Sequence, residues 1–375
     1  MPGVRRAFAP GWAAVRRAAP GLALAVALAT LARGTAQALA LGLGGLPKLP
    51  LSPVMCAVVL GMLWRNSVGV PAWATRGLDW AMHRLLRVGI ALVGLRLTLA
   101  GASAIAATAV PVALSCLAVA LLAGLLIARA LAVPRRLGLL LAIGTAVCGC
   151  TAVVAVSPVI RARHAETAFA VTCVVLFGCS AMLCYPWVAG HFLAASPVHA
   201  GIFLGTAIHD TSQVIGAALI YSQQAAAPAA LAAASVAKLL RNLSIAVLVP
   251  TAGWLVQRHE SKADSAAPDS LATTSRPRPA LVPFFVVAFI GFIVVRTAGD
   301  ALSGASAPLW RAFINTGYTA SDLFLTCGMT AVGLSVSFTD MWRIGWRPLA
   351  AGFVVATLVG SCSLLLTCGM AHFLG

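Results

Sequence analysis

Two stretches, Ile143–Ala155 (IGTAVCGCTAVVA) and Leu204–Gly216 (LGTAIHDTSQVIG), decide how this chain folds. Both open on Gly-Thr-Ala inside a long apolar segment, then run into small and polar residues where an ordinary spanning helix would stay apolar. In a bilayer, non-helical backbone survives only where protein buries it or where it lines an aqueous cavity. We therefore expect the surrounding segments, 137–160 and 199–221, to be broken or re-entrant helices that meet inside the membrane.

The rest of the chain supplies that membrane. Of 375 residues, 61% are hydrophobic and only 9% are charged, with a mean hydropathy of +0.96. A soluble domain carries about 25% charged residues, so too little polar surface exists here to coat a water-soluble globule. A spanning helix needs about 20 apolar residues. Segments of roughly that size fall near 20–41, 51–64, 85–100, 104–131, 137–160, 166–190, 199–221, 230–256, 281–297, 318–338 and 348–374. The expected fold is an all-α polytopic membrane protein with about eleven hydrophobic segments. Residues 1–19 read as a basic cytoplasmic N-terminus, and 20–375 as a single transmembrane domain. The one long hydrophilic stretch, 257–280, reads as a flexible cytoplasmic loop, because Ser, Pro and charge leave it nothing to bury.

The net charge of +17 does not point to nucleic acid. The cations sit in short clusters between apolar segments, as at Arg16/Arg17, Arg135/Arg136, Arg161/Arg163 and Arg276/Arg278. That is the positive-inside pattern, and it places the N-terminus in the cytoplasm. If 137–160 crossed once, Arg161 and Arg163 would fall outside, against the rule. The pattern is satisfied if 137–160 enters from the cytoplasm and returns, and 199–221 does so from the other face. The first apolar helix follows basic residues, as a signal peptide would, with Ala38-Leu39-Ala40 resembling a cleavage site; the spans that follow favour a retained helix. The ten cysteines lie almost entirely in apolar runs and read as small packers held as thiols.

A second echo joins Leu86–Thr98 (LRVGIALVGLRLT) to Leu325–Ser337 (LTCGMTAVGLSVS), where Leu86, Gly89, Val93, Gly94 and Leu95 recur as Leu325, Gly328, Val332, Gly333 and Leu334. The charge pattern runs these helices in opposite directions, the sign of an inverted repeat. At the first break, Gly144, Thr145, Cys148, Gly149 and Thr151 offer close backbone approach and two hydroxyls. Freed helix N-terminal N–H groups there could hold an oxyanion; small-residue helix packing uses the same residue types. At the second break, His209 and Asp210, with Gln213 one turn on, are ionisable or polar at a depth where such groups default to function. A His beside a carboxylate can exchange protons near neutral pH. Lys238, Arg241 and Asn242 share a helical face and either attract a translocating anion or neutralise Asp210. Arg96, inside the repeated motif, is either part of the pathway or an interfacial anchor; Asp322 reads as an interfacial cap.

With these residues in view, the chain resembles the YeiH-type sulfate-exporter family over nearly its whole length. The likeness is carried by Leu85-Leu86-Arg87-Val88-Gly89-Ile90 with Gly94-Leu95-Arg96-Leu97-Thr98, by Cys148-Gly149 leading to Pro158-Val159-Ile160, by Gly205–Val214, and by Lys238-Leu239-Leu240-Arg241. The resemblance implies an inverted-repeat secondary transporter fold related to cation/proton antiporters and bile-acid symporters, with two unwound helices at the membrane midplane. Two positions depart from the family pattern: Asp210 stands where Glu is expected, and Ser157 precedes Pro158 where an acidic residue often stands. The expectation is a multi-pass protein of the bacterial inner membrane that exports sulfate or a similar small anion, possible coupling ions being protons or sodium, and a homodimer a possible assembly. Symport of an organic acid is the alternative. No P-loop, nucleophile elbow, HExxH or dinucleotide fingerprint is present, so neither an enzyme nor a cofactor is expected; a membrane-embedded enzyme or sensor would have to use Cys148 and His209.

Overall fold

The computed structural model describes residues 12–41, 52–245, 247–248, 251, 284–303, 307–337, 339 and 346–374. The 257–280 loop and most of the basic N-terminus lie outside them. Among the described residues every regular element is helical. In order these are α1 (Trp12–Leu41), α2 (Pro53–Ser67), α3 (Ala72–Trp80), α4 (Leu86–Val93), α5 (Leu99–Ala130), α6 (Arg135–Ala146), α7 (Cys150–Val156) and α8 (His164–Phe192). There follow α9 (Pro197–Ala207), α10 (Thr211–Gln224), α11 (Pro228–Leu243), α12 (Phe284–Ser303), α13 (Pro308–Ser335) and α14 (Trp346–Leu374). A π turn at Ala81–Leu85 joins α3 to α4, and a 3₁₀ turn at Gly94–Arg96 ends α4.

The described part of each of the eleven apolar segments is largely helical, and the starts are chemically marked. Ser52 caps α2 by accepting from the Met55 N–H at 3.1 Å, with Pro53 in the first turn where its missing donor costs nothing. Thr98 caps α5 through the Gly101 N–H. One boundary moves: α1 begins at Trp12, eight residues before the apolar run, so helix extends into the expected basic tail.

Among the described residues five helices are long and apolar enough to cross a bilayer: Ala18–Leu41, Leu99–Ala130, Ala165–Phe192, Phe284–Leu302 and Trp346–His372. Most of each is left unburied, with Leu122, Leu126 and Leu365 presented outward. An outer ring of apolar faces without protein partners requires hydrocarbon as its solvent. Inside that ring, α9 and α11 are short and almost completely buried. The molecule is a polytopic membrane protein.

Helices α4 and α13 form a reciprocal pair. A Cβ on Gly89 would sit 2.9 Å from the Leu325 side chain, and one on Gly328 would sit 2.8 Å from Leu86. Leu86 and Gly89 are the sequence counterparts of Leu325 and Gly328, so each repeat packs its leucine on the other repeat's glycine. Only a local two-fold axis produces such exchange. The chain numbers run oppositely through the contact, so the helices are antiparallel, as an inverted repeat requires.

Both suspected segments fold back. A continuous helix would set Gly144 and Val153 about 13.5 Å apart, yet a Cβ on Gly144 would meet Val153 Cγ2 at 2.7 Å. At the hairpin's open end, Arg136 donates to the Arg161 carbonyl at 3.0 Å. Both arginine clusters therefore lie together, as the charge pattern requires. In the second hairpin, Gly201 lies against Ala230 and Gly205 against Ala234, the same step along both helices. Helices α9 and α11 are therefore parallel, so α10, which joins them, runs back the way α9 came.

Candidate functional site

The tips of the two hairpins face each other, and α11 lies across both. Each tip exposes the C-terminal end of a half-helix, whose last carbonyls have no partner in the helix itself. At α6 the accounting is complete. The Ile143 carbonyl accepts from Val147 N–H at 3.1 Å and Gly144 from Gly149 N–H at 3.0 Å. Thr145 accepts from Arg241 Nη2 at 2.7 Å, and Ala146 from Arg241 Nη2 at 2.8 Å and Nε at 3.2 Å. Val147, just past the end, accepts from Lys238 Nζ at 2.8 Å.

The other tip is held by the same two side chains. Arg241 Nη1 donates to the Thr206 carbonyl, the counterpart of Thr145. Lys238 Nζ donates to Ile208 at 3.0 Å, the counterpart of Val147, and to the His209 carbonyl. One turn apart on α11, two cations thus bridge equivalent carbonyls of two inverted hairpins. Lys238 is 0% exposed and Arg241 2%. Charge-assisted bonds to oriented carbonyls make that burial sustainable. Each half-helix C-terminus carries about half a negative charge, and Asp210 interacts electrostatically with Lys238.

Glycines and alanines let α11 come this close. Gly201 and Gly205 form a GxxxG face against Ala230, Ala233, Ala234 and Ala237, with backbone carbonyls near enough to exclude any Cβ on either glycine. At the first tip Gly149 has φ +67° and ψ −123°, a backbone shape that a side chain resists. A Cβ there would also meet Asp210 at 3.0 Å.

Several expected roles change. The anticipated open pocket between the breaks is filled by Lys238 and Arg241, which bond backbone carbonyls and make no ion pair with Asp210 among the described residues. The Thr145 hydroxyl points back along its own helix to Leu141 O at 2.7 Å; Thr206, its counterpart, bonds Ile202 O at 2.7 Å and Ser363 Oγ at 2.7 Å. Thr145 therefore supplies a carbonyl here, while Thr151 lies on the exposed side of α7. His209 and Asp210 do not bond each other: Asp210 caps α10, accepting from Ser212 N at 2.9 Å and Ser212 Oγ at 2.6 Å. That carboxylate occupies the α10 N-terminus, so those donors are not free for a solute.

Arg96 is not drawn to the breaks. It pairs with Asp322 at 2.7 Å and lies over the Tyr318 ring, 4.9 Å from its centre. Asp322 is thus an interior residue of α13 rather than a cap, because the two-fold contact brings the end of α4 beside it. Arg296 extends this network to Asp300 and to Tyr318; the sequence reading passed over it.

Other residues stay at the junction with capacity unspent. The His209 ring is 2% exposed and has the Thr145 backbone as a polar neighbour. Gln213 donates to Val175 O at 3.2 Å and Asn242 to Thr211 Oγ1 at 3.2 Å, but Gln213 Oε1 and Asn242 Oδ1 are unpartnered. Asp210, Thr211 and Ser212 are part-exposed and form the junction's more open edge. Cys148 is a buried thiol beside Lys238. Among the described residues no cluster of His, Cys, Asp and Glu could hold a metal ion.

An all-helical membrane protein built on paired re-entrant hairpins is the class this geometry defines. The chain belongs to the family described as conserved hypothetical protein 698, which matches residues 20–352. It is 32% identical to a UPF0324 membrane protein of Ralstonia nicotianae over 82% of each chain. A UPF0324 membrane protein of Bordetella bronchiseptica is 31% identical, over 81% of this chain and 89% of that one. A third, from Oceanobacillus iheyensis, is 28% identical over 91% and 94%. No solved structure matches.

Proposed function

We propose that this protein is a secondary transporter of the bacterial inner membrane that exports a small oxyanion such as sulfate, with alternating access around the two hairpin tips. One observation carries the reading: two buried cations, Lys238 and Arg241, tie the interrupted ends of inverted half-helices at one point. Interrupted helices meeting inside a membrane are costly unless the irregular backbone serves a pathway. With Lys238, Arg241 and Asp210 charged, the junction's side chains sum to +1, which the two half-helix C-termini largely offset, so an entering anion meets no net negative charge. The unpartnered amide oxygens Gln213 Oε1 and Asn242 Oδ1 can accept hydrogen bonds from water that accompanies the anion. His209, buried at the junction, and Asp210, at its part-exposed edge, are the groups we assign to proton coupling. The role is that of a carrier; no bond-breaking step is assigned to Cys148.

The test is flux into and out of proteoliposomes holding the purified chain. Labelled sulfate, phosphate and small organic acids are offered in turn under an imposed pH gradient. Saturable sulfate movement that responds to the gradient supports the reading. Movement of organic acids alone replaces the substrate class, and no movement above protein-free liposomes removes the transporter role.

A further inference from the structure

We propose that the carbonyls of Val147, Ile208 and His209 form a monovalent-cation site whose permanent occupant is the chain's own Lys238 ammonium. Three backbone oxygens from two separate half-helices converge on one nitrogen, at 2.8 Å from Val147, 3.0 Å from Ile208 and in direct contact from His209. Those three bonds match the three donors of an ammonium, none left over. The oxygens belong to unwound residues beyond helix C-termini, where the aligned peptide dipoles are negative. Carbonyl oxygens at such ends are the ligands by which broken membrane helices hold coupling cations.

Here the position is closed to a free ion. Lys238 is fully buried, and its stem descends from α11, which the Gly201/Gly205 seam holds against α9. The tether makes the cation intramolecular, so occupancy does not depend on the sodium or potassium concentration outside. The inference rests on carbonyl geometry alone and stands whether or not the chain carries an oxyanion.

Lys238→Ala would leave the three oxygens around an ammonium-sized gap, and methylammonium is the matching probe. Thermal unfolding in detergent should show the variant melting below the wild type. Methylammonium at tens of millimolar should restore roughly 3–5 °C by mass action; tetramethylammonium, which has no N–H, should restore nothing. The wild-type chain should respond to neither. Lys238→Met, which fills the volume without a donor, should be destabilised and indifferent to both ions. An alanine variant that methylammonium neither restores nor stabilises overturns the proposal, as does a methionine variant that melts with the wild type.

Discussion

Removing Arg241 should cost more than its charge. Arg241→Ala strips donors from three buried carbonyls at once: Thr145 and Ala146 on one tip and Thr206 on the other. An unsatisfied buried acceptor costs about 1–3 kcal/mol, giving roughly 3–9 kcal/mol if nothing relaxes. Water entering the vacated space recovers part of this, so we expect about 3–5 kcal/mol, the usual loss when one side of a buried ionic contact is deleted. The spans keep their apolar faces, so the variant should still insert, with its hairpin tips unclasped. The assay is the initial rate of sulfate flux in proteoliposomes, normalised to inserted protein, with a melt on the same sample. Flux should fall by more than about tenfold, equivalent to about 1.4 kcal/mol on the barrier, and the melt should drop by several degrees. Arg241→Lys should fall between, because a compact ammonium cannot fork across both tips. Wild-type flux at a wild-type melting temperature in Arg241→Ala would refute the clasp.

Further outcomes follow from the same geometry. Gly149→Ala should destabilise by about 2–3 kcal/mol, since its φ of +67° is strained for any side chain and Asp210 blocks the new Cβ; a melt within a degree of wild type would exclude that backbone shape. Gly89→Val and Gly328→Val should each cost about 1–3 kcal/mol through overpacking, with partial rescue by Leu325→Ala and Leu86→Ala respectively; rescue in one repeat only would contradict the two-fold exchange. Single cysteines at Arg136 and Arg161, in a chain otherwise lacking cysteine, should react with an impermeant maleimide from the same side; labelling from opposite sides would mean that 137–160 crosses. Replacing sodium by choline should leave wild-type sulfate flux unchanged, and a sodium requirement would show that a second cation site exists.

Much of this arrangement was legible from residue order. The Gly-Thr-Ala echo marked both hairpins, and Arg161/Arg163 demanded that the first return to its own side, because basic residues resist translocation. The Leu86/Leu325 echo marked the inverted pair for a similar reason: a symmetric contact asks the same side-chain sizes of both partners. The GxxxG spacing of Gly201 and Gly205 marks a close helix approach, but only the structure shows that the neighbour is α11. The destinations of the charges were not readable. Spacing put Lys238 and Arg241 on one face, but their partners are main-chain oxygens, which every residue possesses and no sequence distinguishes.

Arg96 and Asp322 make the same point from the opposite direction: 226 positions separate them in the chain, yet they touch at 2.7 Å because the two-fold axis folds α13 onto α4. Sequence alone determined the solvent, the segments, the fold-back and the repeat, since each follows from hydropathy, charge placement and local similarity acting along the chain. Only the tertiary structure decided that the breaks present carbonyls rather than amides to their shared centre, and that one lysine and one arginine side chain satisfy them. That choice depends on the direction each half-helix runs into the junction and on how near α11 can approach, and both are set by packing among distant elements.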